Sequence, residues 1–161
     1  MRLIVVSDSH GDYNTFKKIL IKHKDETEAV LFLGDGYTEY EKIKEEFQNI
    51  KFHAVKGNND IFCDAPITTV VNYGEVRILM LHGHTAPVFF LDEKLTELAK
   101  ENNAQFVLYG HTHIPKTDYL NGIHIMNPGS IRYPRGGSKK SYGVIDITDT
   151  SIFKFIIELG N

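Results

Sequence analysis

The 161-residue chain has no tryptophan and a single cysteine, Cys63. One thiol cannot close an intramolecular disulfide, and a reducing compartment is the simplest setting for it. Positive charge is also scarce. Lys and Arg number 18 against 21 Asp and Glu, a formal charge of −3 with neutral histidines. That balance gives no support for a broad electrostatic footprint for nucleic acid. The one basic cluster, Arg132, Arg135, Lys139 and Lys140, lies in a short Gly-rich stretch that reads as solvated loop. Long apolar runs are missing too. No stretch approaches the ~18 apolar residues of a membrane helix, and the run Met1–Val6 is too short for a signal peptide. A cytoplasmic protein without a membrane anchor is expected. No repeat, low-complexity window or composition break appears, so residues 1–161 are expected to form one domain.

With 42% hydrophobic residues the chain can bury a sizeable core. Short β-rich runs at Leu3–Val6, Ala29–Leu33, Phe52–Val55, Val76–Leu81 and Phe106–Tyr109 read as buried strands. Between them lie three helical stripes. Phe16, Ile19, Leu20 and His23 form the first, and Tyr40, Ile43 and Phe47 the second. Leu91, Leu95, Leu98 and Ala99 form the third. Thr38-Glu39-Tyr40-Glu41 has the form of a capping box for the second helix. The first half thus reads β-α-β-α-β, which favours parallel strands with crossover helices. The second half is richer in strand. Asn121-Gly122 between two β-rich segments signals a hairpin, and Tyr142–Ile147 with Ile152–Ile157 reads as a terminal antiparallel pair. The expected class is α/β, with two packed sheets and helices outside. The segment Asp64–Tyr73 is a candidate edge strand, or the surface of a homodimer.

Metal-ligand residue types recur just after the strands. Val6 leads into Ser7-Asp8-Ser9-His10, and Leu33 into Gly34-Asp35-Gly36. Val55 leads towards Gly57-Asn58-Asn59-Asp60, Leu81 into His82-Gly83-His84, and Tyr109 into Gly110-His111-Thr112-His113. In open α/β sheets the carboxyl ends of the strands line the ligand crevice, so neighbouring strands would bring these residues together. Each motif alone is weak. Gly-Asp-Gly is most often a turn, and Asn-Asn-Asp can be a capped loop. Five in order, each at a strand end, point to one site.

Asp8-x-His10, Gly34-Asp35, Gly57-Asn58, His82 and Gly110-His111-Thr112-His113 together resemble the calcineurin-like metallophosphoesterase family. The chain length and the Asn127-Pro128-Gly129-Ser130 segment resemble its small single-domain YfcE-type phosphodiesterase branch. The resemblance implies a four-layer α/β/β/α sandwich of two mixed sheets flanked by helices. It also implies a dinuclear centre, with Asp8, His10 and His113 on one metal, Asn58, His82 and His111 on the second, and Asp35 bridging. Such metals are typically ~3.5–4 Å apart. The oxygen and nitrogen ligand set suits Mn²⁺, Fe, Zn²⁺ or Ni²⁺ better than Ca²⁺ or Mg²⁺, and two Mn²⁺ ions are expected. The implied reaction is hydrolysis of a small phosphate ester, most simply a phosphodiester, by attack of a metal-bridging hydroxide.

At one position the chain departs from the family pattern. Where members commonly carry a histidine after Gly-Asn, this sequence has Asn59, and an amide is no general acid. It can still hydrogen-bond a phosphoryl oxygen. His84 is then the nearest candidate proton donor, and Asp60 a residue that orients a ligand or loop. Phosphomonoester hydrolysis is the alternative activity, with Arg132 and Arg135 to meet the extra charge. A non-enzymatic alternative is a protein-binding platform like the retromer scaffold subunit, with a retained metal site.

Overall fold

The computed structural model describes residues 1–85 and 91–160. The chain begins β1 (Arg2–Val6), α1 (Tyr13–His23), β2 (Thr27–Phe32), α2 (Tyr37–Glu46), β3 (Lys51–Ala54). It continues with β4 (Thr68–Tyr73), β5 (Val76–Leu81), α3 (Leu91–Glu101), β6 (Phe106–Leu108), β7 (Lys116–Leu120), β8 (Ile123–Asn127), β9 (Ser141–Ile147) and β10 (Ile152–Glu158). The strands form two five-stranded mixed sheets, ordered β10-β9-β1-β2-β3 and β4-β5-β6-β8-β7. In the first, β1, β2 and β3 run parallel through the α1 and α2 crossovers, and the β9–β10 pair adds antiparallel to β1. In the second, β5, β6 and β8 are parallel, with antiparallel β4 and β7 at the edges. The segment read as an edge strand is β4.

The layering follows from side-chain alternation along the strands. On β1, Leu3 and Val5 point into the seam between the sheets, where they meet Ile78, Met80, Phe106, Leu108 and Met126. Ile4 and Val6 point outward, to Phe16, Ile19 and Leu20 of α1 and Tyr40 and Ile43 of α2. In the second sheet, Leu79, Leu81, Val107 and Ile125 pack on Leu91, Leu95 and Ala99 of α3. The central strands are therefore apolar on both faces, which is why their sequences run as continuous hydrophobic stretches. The result is the four-layer α/β/β/α sandwich.

Two local readings fared differently. Asn121 and Gly122 take φ of 52° and 83°, as the tight β7–β8 turn requires. The capping box at Thr38–Glu41 does not form. The second helix starts earlier, on Gly36, with no side-chain cap. Glu39 is instead drawn inward, as described below.

Because the seam core is shared by both sheets, truncating it should loosen the whole molecule. Leu31→Ala removes a fully buried seam side chain. It is expected to lower the unfolding free energy by about 2–5 kcal/mol, measured by urea denaturation.

Candidate metal centre

The parallel strands end at the same end of the sandwich, and the motif residues follow them directly. They sit on strained backbone. Asp8, His10, Asp35, His111 and His113 have φ of 53°, 40°, 58°, 65° and 60°. Among the described residues the other non-glycine residues with positive φ are Asn103 and Asn121, a type that tolerates it. Left-handed backbone at a non-glycine residue costs about 1–3 kcal/mol and persists only where its surroundings enforce it.

Those surroundings are a set of short polar contacts between the loops. Asp8 N–H donates to the Gly34 carbonyl and His10 N–H to that of Asp35, each at 3.0 Å. Asp8 Oδ2 accepts from Ser7 Oγ at 2.6 Å and from His111 N–H at 3.1 Å, a link between the sheets. The Asp8 carbonyl accepts from the buried Ser130 hydroxyl at 2.7 Å. Asn127 Nδ2 donates to the Gly110 carbonyl and to Thr112 Oγ1, at 2.8 and 3.0 Å. The Asn127–Ser130 segment thus braces two of the loops from beneath.

Asp60 has an organising position. Its carboxylate accepts from the backbone N–H of Asp35, Gly36, Tyr37 and Gly57, at 2.7, 2.9, 3.0 and 2.8 Å. Both oxygens are taken up by main chain, so Asp60 acts on the site through the Asp35 loop. Glu39, in the first turn of α2, is buried and accepts from Ser9 Oγ at 2.7 Å and from Gly11 N–H. A Cβ on Gly36 would sit 1.9 Å from Ser9 Oγ and 2.5 Å from Glu39 Oε1. Glycine at 36 lets α2 approach the Asp8–Gly11 loop. Sequence reasoning missed Glu39. Its one signal was an acidic residue in a first helical turn, which reads as capping.

Within this frame, ring nitrogens and carboxylate oxygens converge. His82 Nδ1 lies 2.6 Å from the Leu33 carbonyl and His113 Nδ1 2.6 Å from that of Tyr133. A ring that donates Nδ1–H to a carbonyl presents Nε2 as its lone-pair atom. His113 Nε2 is 3.0 Å from Asp8 Oδ1 and 3.3 Å from His10 Nε2. His82 Nε2 is 3.5 Å from Asp35 Oδ2, which lies 3.8 Å from His10 Nε2. Asp8 Oδ1 is 4.0 Å from His82 Nε2. Two ligand clusters result, Asp8 with His10 and His113, and Asp8 with Asp35 and His82. Both carboxylates reach both halves, so the geometry offers Asp8 as well as Asp35 between them.

Asp8 Oδ1 and His82 Nε2 are buried with no hydrogen-bond partner among the described residues. An orphaned carboxylate oxygen facing an orphaned lone pair is costly unless a cation lies between them. The titration behaviour agrees. Burial raises the Asp35 carboxyl, but the His82 ring and the Asn59 donors outweigh it and hold it well below the carboxylate range. Burial would strip His82 of its proton, yet Asp35 and Asp8 push its pKa up, and Asp8 does the same for His113. His111 and His84 are pushed down, first by burial and then by His82. The negative field that favours protons on two rings is the field a divalent cation would meet. The oxygen and nitrogen donors fit such ions.

The remaining motif residues fall around this cluster. The His111 ring lies 5.2 Å from that of His82, and His84 flanks both, 5.4 Å from His82 and 6.2 Å from His111. Asn58 and Asn59 are exposed on the loop after Gly57. Asn59 donates from its backbone N–H to Asp35 Oδ1 at 2.8 Å and from Nδ2 to Oδ2 at 2.6 Å. The histidines outside the motifs have other partners. His23 meets the Tyr142 hydroxyl and His53 that of Tyr73, at 2.8 and 2.9 Å.

A two-sheet sandwich with carboxylates and imidazoles gathered at its strand ends is the architecture of the metal-dependent phosphoesterases. The family model for the calcineurin-like phosphoesterase superfamily domain matches residues 1–150, and the chain belongs to that superfamily. It is 31% identical over 169 residues to phosphodiesterase YfcE of Escherichia coli K12, covering 91% of this chain and 88% of the relative. It is 32% identical over 138 residues to vacuolar protein sorting-associated protein 29 of Schizosaccharomyces pombe, covering 81% and 72%. The crystal structure of a predicted phosphoesterase from Streptococcus pneumoniae superposes with a TM-score of 0.85 at 31% identity, covering 98% of this chain and 88% of that one.

The Asp60 contacts are open to a direct test. In Asp60→Asn the amide turns an NH₂ group towards backbone donors that need acceptors. Stability is expected to fall by about 1–3 kcal/mol in urea denaturation, with weaker metal binding because the Asp35 loop is no longer pinned.

Proposed function

We propose that this chain is a cytoplasmic phosphodiesterase, formed by residues 1–161 as one domain, with a dinuclear centre. Asp8, His10 and His113 would hold one metal, Asn58, His82 and His111 the other, and Asp35 would lie between them. The observation that carries this reading is the pair of orphaned atoms, Asp8 Oδ1 and His82 Nε2, buried where the ligand sets meet. A cytoplasmic setting accords with the lone Cys63.

Bound divalent cations supply Lewis acidity there, drawing in the ester's phosphoryl oxygens, lowering the pKa of water and offsetting charge that develops in the transition state. The chain's residues do the positioning. The Leu33 and Tyr133 carbonyls fix the tautomers of His82 and His113. Asp60 and Glu39 hold the loops that carry Asp35 and His10. Asn59 brings a neutral donor against Asp35, at the edge of the ligand cluster, where it can hydrogen-bond a phosphoryl oxygen. His84, half-buried beside His82 and His111, is the candidate proton donor to the leaving alkoxide. The complete set of expected ligand types favours an enzyme over a protein-binding platform. The relative in vacuolar protein sorting makes that distinction a matter for experiment. Diester is ranked above monoester on likeness to the YfcE phosphodiesterase.

The test is metal content with hydrolysis of bis(p-nitrophenyl) phosphate, in metal-free and Mn²⁺-reconstituted protein. About two metals per chain and metal-dependent turnover are expected. Asp35→Asn should lower occupancy of both sites and cut turnover by more than about 100-fold. Two metals with no turnover of diesters or monoesters would favour the platform. Full activity in Asp35→Asn would overturn the ligand assignment.

A further inference from the structure

The rim beside His10 and His113 carries a feature that metal ligation does not use. Ser130, fully buried, accepts from the backbone N–H of Arg132 at 3.1 Å and of Tyr133 at 2.8 Å. The Tyr133 carbonyl in turn fixes His113. The contacts of Tyr133 among these are made by its main chain, so a structural role needs nothing from its ring. Yet that ring is held against the centre. Its centroid lies 5.5 Å from that of His10, at an interplanar angle of 45°, and the residue is 52% exposed.

The surroundings of the ring are cationic. The Arg132 guanidinium sits 5.3 Å from the Tyr133 centroid. Arg132 shares one carboxylate, that of Asp12, with Lys140, at 3.6 and 3.4 Å. Two cations on one acid leave surplus positive charge on this rim, in a chain whose formal charge is −3. Arg135 belongs to the same turn and donates its backbone N–H to the His113 carbonyl at 3.1 Å. An exposed aromatic face edged by cations, next to a phosphoester centre, matches a ligand that joins a planar ring to a phosphate.

We propose that Tyr133 and Arg132 form a subsite for a nucleobase carried on one ester arm of the substrate, which makes the preferred substrates nucleoside phosphoesters. The base stacks on the exposed part of the Tyr133 ring while the phosphoryl group reaches the ligand cluster beside His10. The backbone anchors at Ser130 and His113 set the distance between the two. This inference rests on the phosphoesterase reading above.

The test is isothermal titration of Mn²⁺-loaded protein with adenosine 5′-monophosphate and with ethyl phosphate, monoesters of like charge that differ in the base-bearing arm. The nucleotide should bind at least about tenfold more tightly, the order of a single base–aromatic stack. Tyr133→Ala should remove that advantage while moving the ethyl phosphate affinity by less than about twofold, and Tyr133→Phe should keep it. Equal affinities in the wild-type protein would overturn the subsite, as would a Tyr133→Ala variant that weakens both ligands alike. Failure of the loaded wild-type protein to bind either phosphate would instead count against the phosphoesterase reading, and the subsite would fall with it.

Discussion

Two buried carboxylates, Asp8 and Asp35, set the terms for the rest of this structure. Each is almost wholly withdrawn from solvent. They lie close enough to share the same ring nitrogens. Burying one charge is expensive, and burying two of like sign in one place more so. The chain meets that cost with aimed donors. Asp8 receives a hydroxyl and a backbone N–H, and Asp35 receives both donors of Asn59. What these donors leave over is Asp8 Oδ1. The negative charge gathered at the centre is therefore a property of the fold, and it suits the site to cations in an otherwise unremarkable acidic protein.

Holding that arrangement requires backbone that would not form on its own. Five motif residues sit at positive φ, and the compensation comes from acids and amides that make no approach to the centre themselves. Asp60 gathers four backbone donors from two loops, Glu39 reaches from α2 to the first loop, and Asn127 and Ser130 brace from below. Some of these braces lie close to motif residues in sequence, with Ser9 after Asp8, the Gly36 that admits Glu39 after Asp35, and Asp60 after Asn58. Strain at these positions is thus offset by contacts from loops distant in sequence.

Much of this was legible before the fold was known, for reasons that can be named. Leu3–Val6 and Val76–Leu81 are apolar on both faces because both faces are covered, and continuous hydrophobic runs betray that. The α1 stripe from Phe16 to Leu20 has the helical period, and Asn121-Gly122 has a turn type that few other residues can take. The motif histidines were visible because they follow strands. Glu39 and Tyr133 were not. An acid in the first turn of a helix reads as a cap until the packing of Gly36 against Ser9 brings it into contact with another loop. A backbone carbonyl that orients His113 leaves no trace in residue type at all. The capping box failed because the helix starts on Gly36, which puts Thr38 inside the first turn, where it is no cap.

The division of labour between the sheets ties site to stability. The first sheet delivers both carboxylates, Asp8 and Asp35, with His10, and the second delivers His82, His111 and His113. Cross-sheet hydrogen bonds from His111 to Asp8 and from His82 to Leu33 join the halves. Neither sheet holds a complete cluster, so the ligand geometry exists only while the apolar seam between them is closed. A cation that binds this geometry binds the folded state and not the open chain, and by linkage it must stabilise the seam. The seam in turn holds the donors at the separations a cation requires. Burial of Leu3, Val5, Met80 and Leu108 in the seam and the free oxygen of Asp8 at the strand ends are therefore two expressions of a single packing event.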